Sequence, residues 1–151
     1  MEVTQRNLIF SKVDSKNSNE IIHYLAEKLF KAGKVNKDFE QAVKERERVY
    51  PTGLPIGDIP VAIPHTDVKY VKQSAIAIAI LKNPVEFHNM AKNDESINVK
   101  IVVMLAMKEP HSQVDMLQKL MKMFQNQDLL TKISNLDDND EIYEIVSKQI
   151  D

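Results

Sequence analysis

Two apolar runs constrain this chain more than anything else in it. Ser74 to Leu81 reads SAIAIAIL and Ile97 to Met107 reads INVKIVVMLAM. Neither approaches the roughly 18 apolar residues that a membrane span needs. A short run that stays apolar on both sides of the pleat is what a strand covered on both faces looks like. Such strands need helices above and below them. The rest of the chain supplies the pattern. Leu8 to Val13 alternates as a first strand. Ile21, Ile22, Leu25, Leu29 and Phe30 recur at helical spacing, with Ser18 or Asn19 to cap and Gly33 to close. A second helix starts at Asn36 or Asp38 and stops at Pro51. Pro60 to Pro64 is short and extended, and Val85 to Phe87 reads as a short edge strand. A helix begins at Pro110 with Val114, Leu117, Leu120, Met121 and Phe124 on one side, and Asp128 to Ile133 and Asp140 to Ile150 form two more. Alternating strands and helices predict an α/β fold, a mixed, mostly parallel central sheet of about five strands with helices on both faces.

Composition narrows the function. The 151 residues fit one domain, 1–151, on a prior of about 150 per domain. Charges of 20 and 22 sum to −2, which excludes a strongly basic domain that binds nucleic acid by neutralising phosphates. With no cysteine, zinc–thiolate sites and thiol nucleophiles are excluded. The three glycines form neither G-x-G-x-x-G nor G-x-x-x-x-G-K, so no nucleotide cofactor is expected by those devices. MEVTQRNLIF has no basic segment followed by an apolar run. The expected location is therefore cytoplasmic.

In α/β sheets, sites form at the carboxyl ends of strands. Two such places carry a histidine here: Pro64-His65-Thr66-Asp67 and Glu109-Pro110-His111-Ser112. His23 and His88 read as a partly exposed helix residue and a surface residue. Pro64 fixes its own φ and biases Ile63 toward extended backbone, so His65 sits on a stiff turn. His111 falls in the first turn of a helix, where N–H groups lack intrahelical acceptors and attract anions. Arg46 or Arg48 adds a planar donor fork suited to phosphate. The set suits a phosphoryl group carried on, or bound beside, a histidine. Imidazole is nucleophilic near neutral pH, and one nitrogen must be held by a hydrogen bond that selects the tautomer. The plainer reading is that both histidines cap strand ends. A metal held by the two histidines and Asp67 lacks any tight H-x-H or H-x-x-x-H spacing, and no metal is expected. A serine hydrolase lacks the G-x-S-x-G elbow. Met116, Met121 and Met123 read as packing.

These residues also carry a resemblance. Arg46-Glu47, Tyr50-Pro51-Thr52-Gly53 and Val61-Ala62-Ile63-Pro64-His65 lie within RERVYPTGLPIGDIPVAIPHTDVKYVKQSAIAIAIL. This stretch resembles the enzyme IIA domain of the bacterial sugar phosphotransferase system, in the galactitol-type branch of the fructose/mannitol superfamily. The likeness extends over nearly the whole chain. It implies that His65 accepts phosphate from the phosphorylated histidine phosphocarrier protein and passes it to a cysteine of enzyme IIB. The membrane enzyme IIC then moves and phosphorylates the sugar, here galactitol or a related sugar alcohol. It also places a second pocket histidine at His111 and a phosphate-stabilising arginine at Arg46. Thr52 offers a hydroxyl from the neighbouring loop. A carrier must dock two partners in turn, so Ile56, Ile59, Val68, Tyr70 and Val71 are candidates for a docking face around His65. The rival implication is a nitrogen-regulatory-type enzyme IIA that signals by its phosphorylation state, and a third is a binding module without catalysis.

Overall fold

The alternation of side chains along the first apolar run decides the layering. In the computed structural model, which describes residues 3–151, that run opens strand β4 (Ala75–His88). Ala75, Ala77, Ala79 and Leu81 point into one core, and Ile76, Ile78 and Ile80 into another. Period-two alternation therefore feeds two apolar layers rather than one apolar and one wet face. The first core is closed by helices α1 (Ser18–Lys31) and α2 (Phe39–Val49). The second is closed by α3 (Pro110–Phe124), α4 (Gln127–Ser134) and α5 (Asn139–Ile150). Alanine on the first face is small and isoleucine on the second is large.

Five strands make the mixed sheet, in the order β1-β4-β5-β3-β2. They are β1 (Thr4–Val13), β2 (Gly53–Leu54), β3 (Val61–Ala62), β4 and β5 (Ser96–Ala106). β1 pairs parallel with β4, and β3 parallel with β5; β4–β5 and β2–β3 are antiparallel. The antiparallel centre arises because Val85 to Phe87 is not a separate edge strand. It continues β4 past a register shift between Ile80 and Val85, and Phe87 pairs with Ile97. Pro84 sits in that irregular stretch, where a strand tolerates a missing N–H. The polar segment 89–95 then turns the chain back into β5.

Local chemistry sets the helix ends. The α1 cap is Asn17, one residue earlier than expected, and its side chain accepts from Glu20 N–H at 2.9 Å. Gly33 closes α1 with φ of 76°, and Lys34 N–H returns to the Leu29 carbonyl. Pro110 opens α3, where its missing N–H costs nothing.

The short β2–β3 pair positions the site and depends on Gly53. A Cβ there would lie 2.5 Å from the His88 carbonyl oxygen and 2.6 Å from Ile97 Cδ1. The close approach lets the Gly53 carbonyl accept from Met90 N–H at 2.8 Å, tying β2 to the end of β4. Gly53→Ala should therefore destabilise the fold by about 1–3 kcal/mol, the usual range for overpacking. Urea unfolding monitored by circular dichroism measures this; an unchanged midpoint would mean that the β2 loop is free to move aside.

Candidate functional site

His65 lies three residues past the end of β3, and its place is fixed from both sides. Pro64, which precedes it, has its carbonyl bonded by Leu105 N–H at 3.1 Å, which extends the β3–β5 contact to the site. The ring turns back on its own strand: Nδ1 lies 2.7 Å from the Ile63 carbonyl oxygen. A carbonyl only accepts, so Nδ1 carries the proton. The Nε2 lone pair is then the basic, nucleophilic position. The residue is 7% exposed. Burial pushes the imidazole below its ordinary value of 6.5; the Ile63 carbonyl acts against this and the Arg46 charge with it.

Arg46 sits in the last turn of α2 and lines a groove of about 300 Å³ with Val49, Tyr50, Thr66, Asp67 and Tyr70. Its guanidinium lies 5.4 Å from the centre of the Tyr50 ring. The groove borders His65 through Thr66.

Thr52 is 3% exposed, and its hydroxyl both donates and accepts. It donates to Glu47 Oε1 at 2.8 Å and accepts from Ile63 N–H at 3.2 Å. Its proton is thus committed to a carboxylate rather than free for a phosphoryl oxygen. Thr52 N–H also donates to Glu47, to Oε2 at 2.8 Å. Burial pushes the Glu47 carboxyl up, against both Thr52 bonds and the charges of His88 and Arg46.

His111 follows β5 as His65 follows β3. These strands are adjacent and parallel, so both histidines lie on the same edge of the sheet. The His111 ring nevertheless points outward. Its side chain is 90% exposed, and Nε2 lies 3.4 Å from Asp115 Oδ2, one turn along α3. Arg46 acts on His65 through its charge and Thr52 through Ile63, while the His111 ring, turned to solvent beside Asp115, is not drawn in with them. Asp67 Oδ1 accepts from Lys69 N–H and caps a 3₁₀ turn over Val68–Tyr70. Among the described residues no three His, Asp or Glu side chains cluster to hold a metal ion.

The expected docking residues need correction. Val71 is buried in the first core, whereas Tyr70 packs partly against that core and still lines the groove with Arg46. Ile56 and Ile59 pack against the second core. Gln127 Oε1 holds this loop in place, accepting from Asp58 and Ile59 N–H. Val68 is only half-buried. The exposed apolar groups beside the site are instead Val49 and Tyr50, the latter 63% exposed. Glu47 was the participant hardest to foresee. The sequence marks it only as part of the Arg46-Glu47 pair; its contact with Thr52 appears only in the fold. No helix among the described residues is long and apolar enough to cross a membrane.

Comparison with known proteins agrees with this architecture. Residues 2–149 match the family described as phosphoenolpyruvate-dependent sugar phosphotransferase system, EIIA 2. The transcriptional regulator ManR of Bacillus subtilis is 39% identical over 101 residues, which are 67% of this chain and 14% of the regulator. This chain therefore spans only a small part of that relative. The galactitol-specific EIIA component of Escherichia coli K12 is 27% identical over 126 residues, 83% of each chain. Enzyme IIA for mannitol from Escherichia coli, solved in complex with phosphorylated enzyme IIB, superposes with a TM-score of 0.77. It is 22% identical, with 96% of this chain and 99% of that one covered, and so speaks to the fold.

The depressed basicity of His65 has a measurable consequence. In a histidine-resolved NMR titration its midpoint should fall below 6.5, and Arg46→Gln should raise it. The unfolded chain then binds the proton more tightly, so stability should fall as pH drops below 6.5 toward the folded midpoint. A midpoint at or above 6.5 would contradict the buried, neutral imidazole.

Proposed function

This chain belongs to the EIIA 2 family of the phosphoenolpyruvate-dependent sugar phosphotransferase system, and on that premise we propose that His65 is its phosphoryl acceptor. As a family member the chain is a phosphotransferase component. The single observation that supports His65 is the 2.7 Å bond from Nδ1 to the Ile63 carbonyl, which leaves Nε2 with a free lone pair.

In this reading Nε2 attacks the phosphorus of a phosphohistidine on the histidine phosphocarrier protein. A P–N bond forms on His65 as the donor's P–N bond breaks, and the donor nitrogen keeps the electron pair. A cysteine thiolate of enzyme IIB then attacks the same phosphorus, and the pair returns to Nε2. Such transfers need positioning and charge stabilisation more than covalent machinery. The Arg46 guanidinium supplies positive charge beside the ring, and the first turn of α3 supplies N–H donors on the same edge. His111 serves at the margin, where an incoming partner would meet it. Val49 and Tyr50 give that partner an apolar foothold next to Arg46. This reading requires neither a cofactor nor a metal. The partner enzyme IIB is supported by the mannitol relative, which was solved with it.

The likeness to the galactitol-specific component supports a sugar alcohol such as galactitol as the transported compound, moved by a membrane enzyme IIC. The chain acts as one carrier domain, 1–151, on the cytoplasmic side. A second reading has its own support in the 39% identity to a stretch of a transcriptional regulator. There the phosphorylation state of His65 would be the signal, as in a nitrogen-regulatory-type enzyme IIA.

Incubation with phosphoenolpyruvate, enzyme I and the histidine phosphocarrier protein tests the acceptor directly. The wild type should gain one acid-labile phosphate, and His65→Gln none. His111→Ala should still be labelled at His65, more slowly. Full labelling of His65→Gln would remove His65 from the reaction.

Tyr50→Ser should raise the donor concentration needed for half-maximal rate and leave the maximal rate nearly unchanged. An equal effect on both would count against Tyr50 as a docking residue.

A further inference from the structure

We propose that Glu47 is a positioning residue for His65, acting through Thr52 and the Ile63 peptide. The effect on rate rests on His65 being the phosphoryl acceptor; the structural chain does not. That chain has four bonds. Glu47 accepts from both the N–H and the hydroxyl of Thr52, each at 2.8 Å. This two-oxygen grip fixes the Thr52 backbone and its side-chain rotamer together. With its proton spent on Glu47, the Thr52 hydroxyl presents lone pairs, and one accepts Ile63 N–H at 3.2 Å. The Ile63 carbonyl in turn takes the His65 Nδ1 proton at 2.7 Å.

The register explains why the hydroxyl is needed. β2 and β3 pair Gly53 with Ala62 and Leu54 with Val61, so the next antiparallel positions are Thr52 and Ile63. The ladder stops there, and the Thr52 side chain satisfies the Ile63 N–H in its place. On the far side Pro64 has a fixed φ, and its carbonyl is held by Leu105 N–H. Ile63 is thereby held at its N–H by Thr52 and followed by a proline that Leu105 holds, which limits how its carbonyl can turn. Glu47 makes this possible by deciding which way the Thr52 hydroxyl donates.

The carboxylate is also unusual for its surroundings. Among the described residues no lysine or arginine side chain forms a salt bridge with Glu47. A largely buried carboxylate without an ion pair is costly unless its hydrogen bonds are well made. Both of its oxygens are used, and both on one residue.

Three variants test the chain: Glu47→Ala, Thr52→Val and Thr52→Ser. The first removes both bonds to Thr52. The second keeps the shape of the side chain and removes the hydroxyl. The third keeps the hydroxyl. Amide NMR spectra establish that each is folded. The His65 tautomer, read from long-range nitrogen–proton spectra of the unphosphorylated protein, should be Nδ1–H in the wild type and Thr52→Ser. In Glu47→Ala and Thr52→Val it should shift to a mixture. Phosphoryl acceptance should slow about tenfold or more in those two, since small misplacements can cost on the order of 100-fold. Thr52→Ser should stay within about twofold. If Glu47→Ala does not fold, the Thr52→Val and Thr52→Ser pair decides. Folded variants that keep the wild-type tautomer would overturn the proposal. Because the tautomer is read without phosphate, a wild type that accepts none would defeat the carrier reading alone.

Discussion

The hydrogen bond from His65 Nδ1 to the Ile63 carbonyl is the interaction around which this molecule is arranged. It is made between residues two apart in sequence, so it looks local. Its geometry is set by distant parts of the chain. Ile63 is held by Thr52 on one side, and the next residue, Pro64, by Leu105 on the other. Thr52 is held by Glu47 at the end of α2, and α2 packs on the first core through Phe39 and Val43. Leu105 belongs to β5, whose side chains reach both cores. A change in either layer of helices therefore reaches the imidazole through two or three contacts. Strand pairing next to the site and short bonds orient the ring nitrogen that the proposal makes the acceptor.

Burial does the chemical tuning. It favours the neutral ring, and the Arg46 charge adds to that effect. A neutral imidazole keeps its lone pair available, and on the proposed reading a nearby guanidinium would favour the phosphorylated state. The same groove carries Val49 and Tyr50 to the surface. A partner that covers them would also dry the site, and electrostatic interactions strengthen as water leaves. In the proposed reading, docking and transfer thus share one surface.

Much of this was legible in the residues. The two apolar runs announced strands covered on both faces, and the helical spacings located all five helices to within a few residues. I-P-H marked His65 because proline constrains its own backbone and that of its neighbour. Other features were not legible, for identifiable reasons. Val85 to Phe87 reads as an edge strand because Pro84 interrupts the pattern, yet the β4–β5 pairing resumes beyond it. Ile56, Ile59 and Val71 look like docking residues because they flank the histidine in sequence, but loop closure buries Val71 in the first core and packs Ile56 and Ile59 partly against the second. His111 lies on the expected edge, while its ring direction depends on Asp115 and on the roll of α3. Glu47 shares the charged character of its neighbours, and only the fold turns it inward.

Which ring nitrogen carries the phosphate is the most direct test of this account. The protein should be phosphorylated by its donor system, kept at alkaline pH, and analysed by nitrogen and phosphorus NMR with labelled histidine. The account predicts a single phosphohistidine, at His65, with phosphorus coupled to Nε2 and Nδ1 still protonated. Phosphorus on Nδ1 would mean that the bond to Ile63 breaks before transfer, and would contradict the central claim.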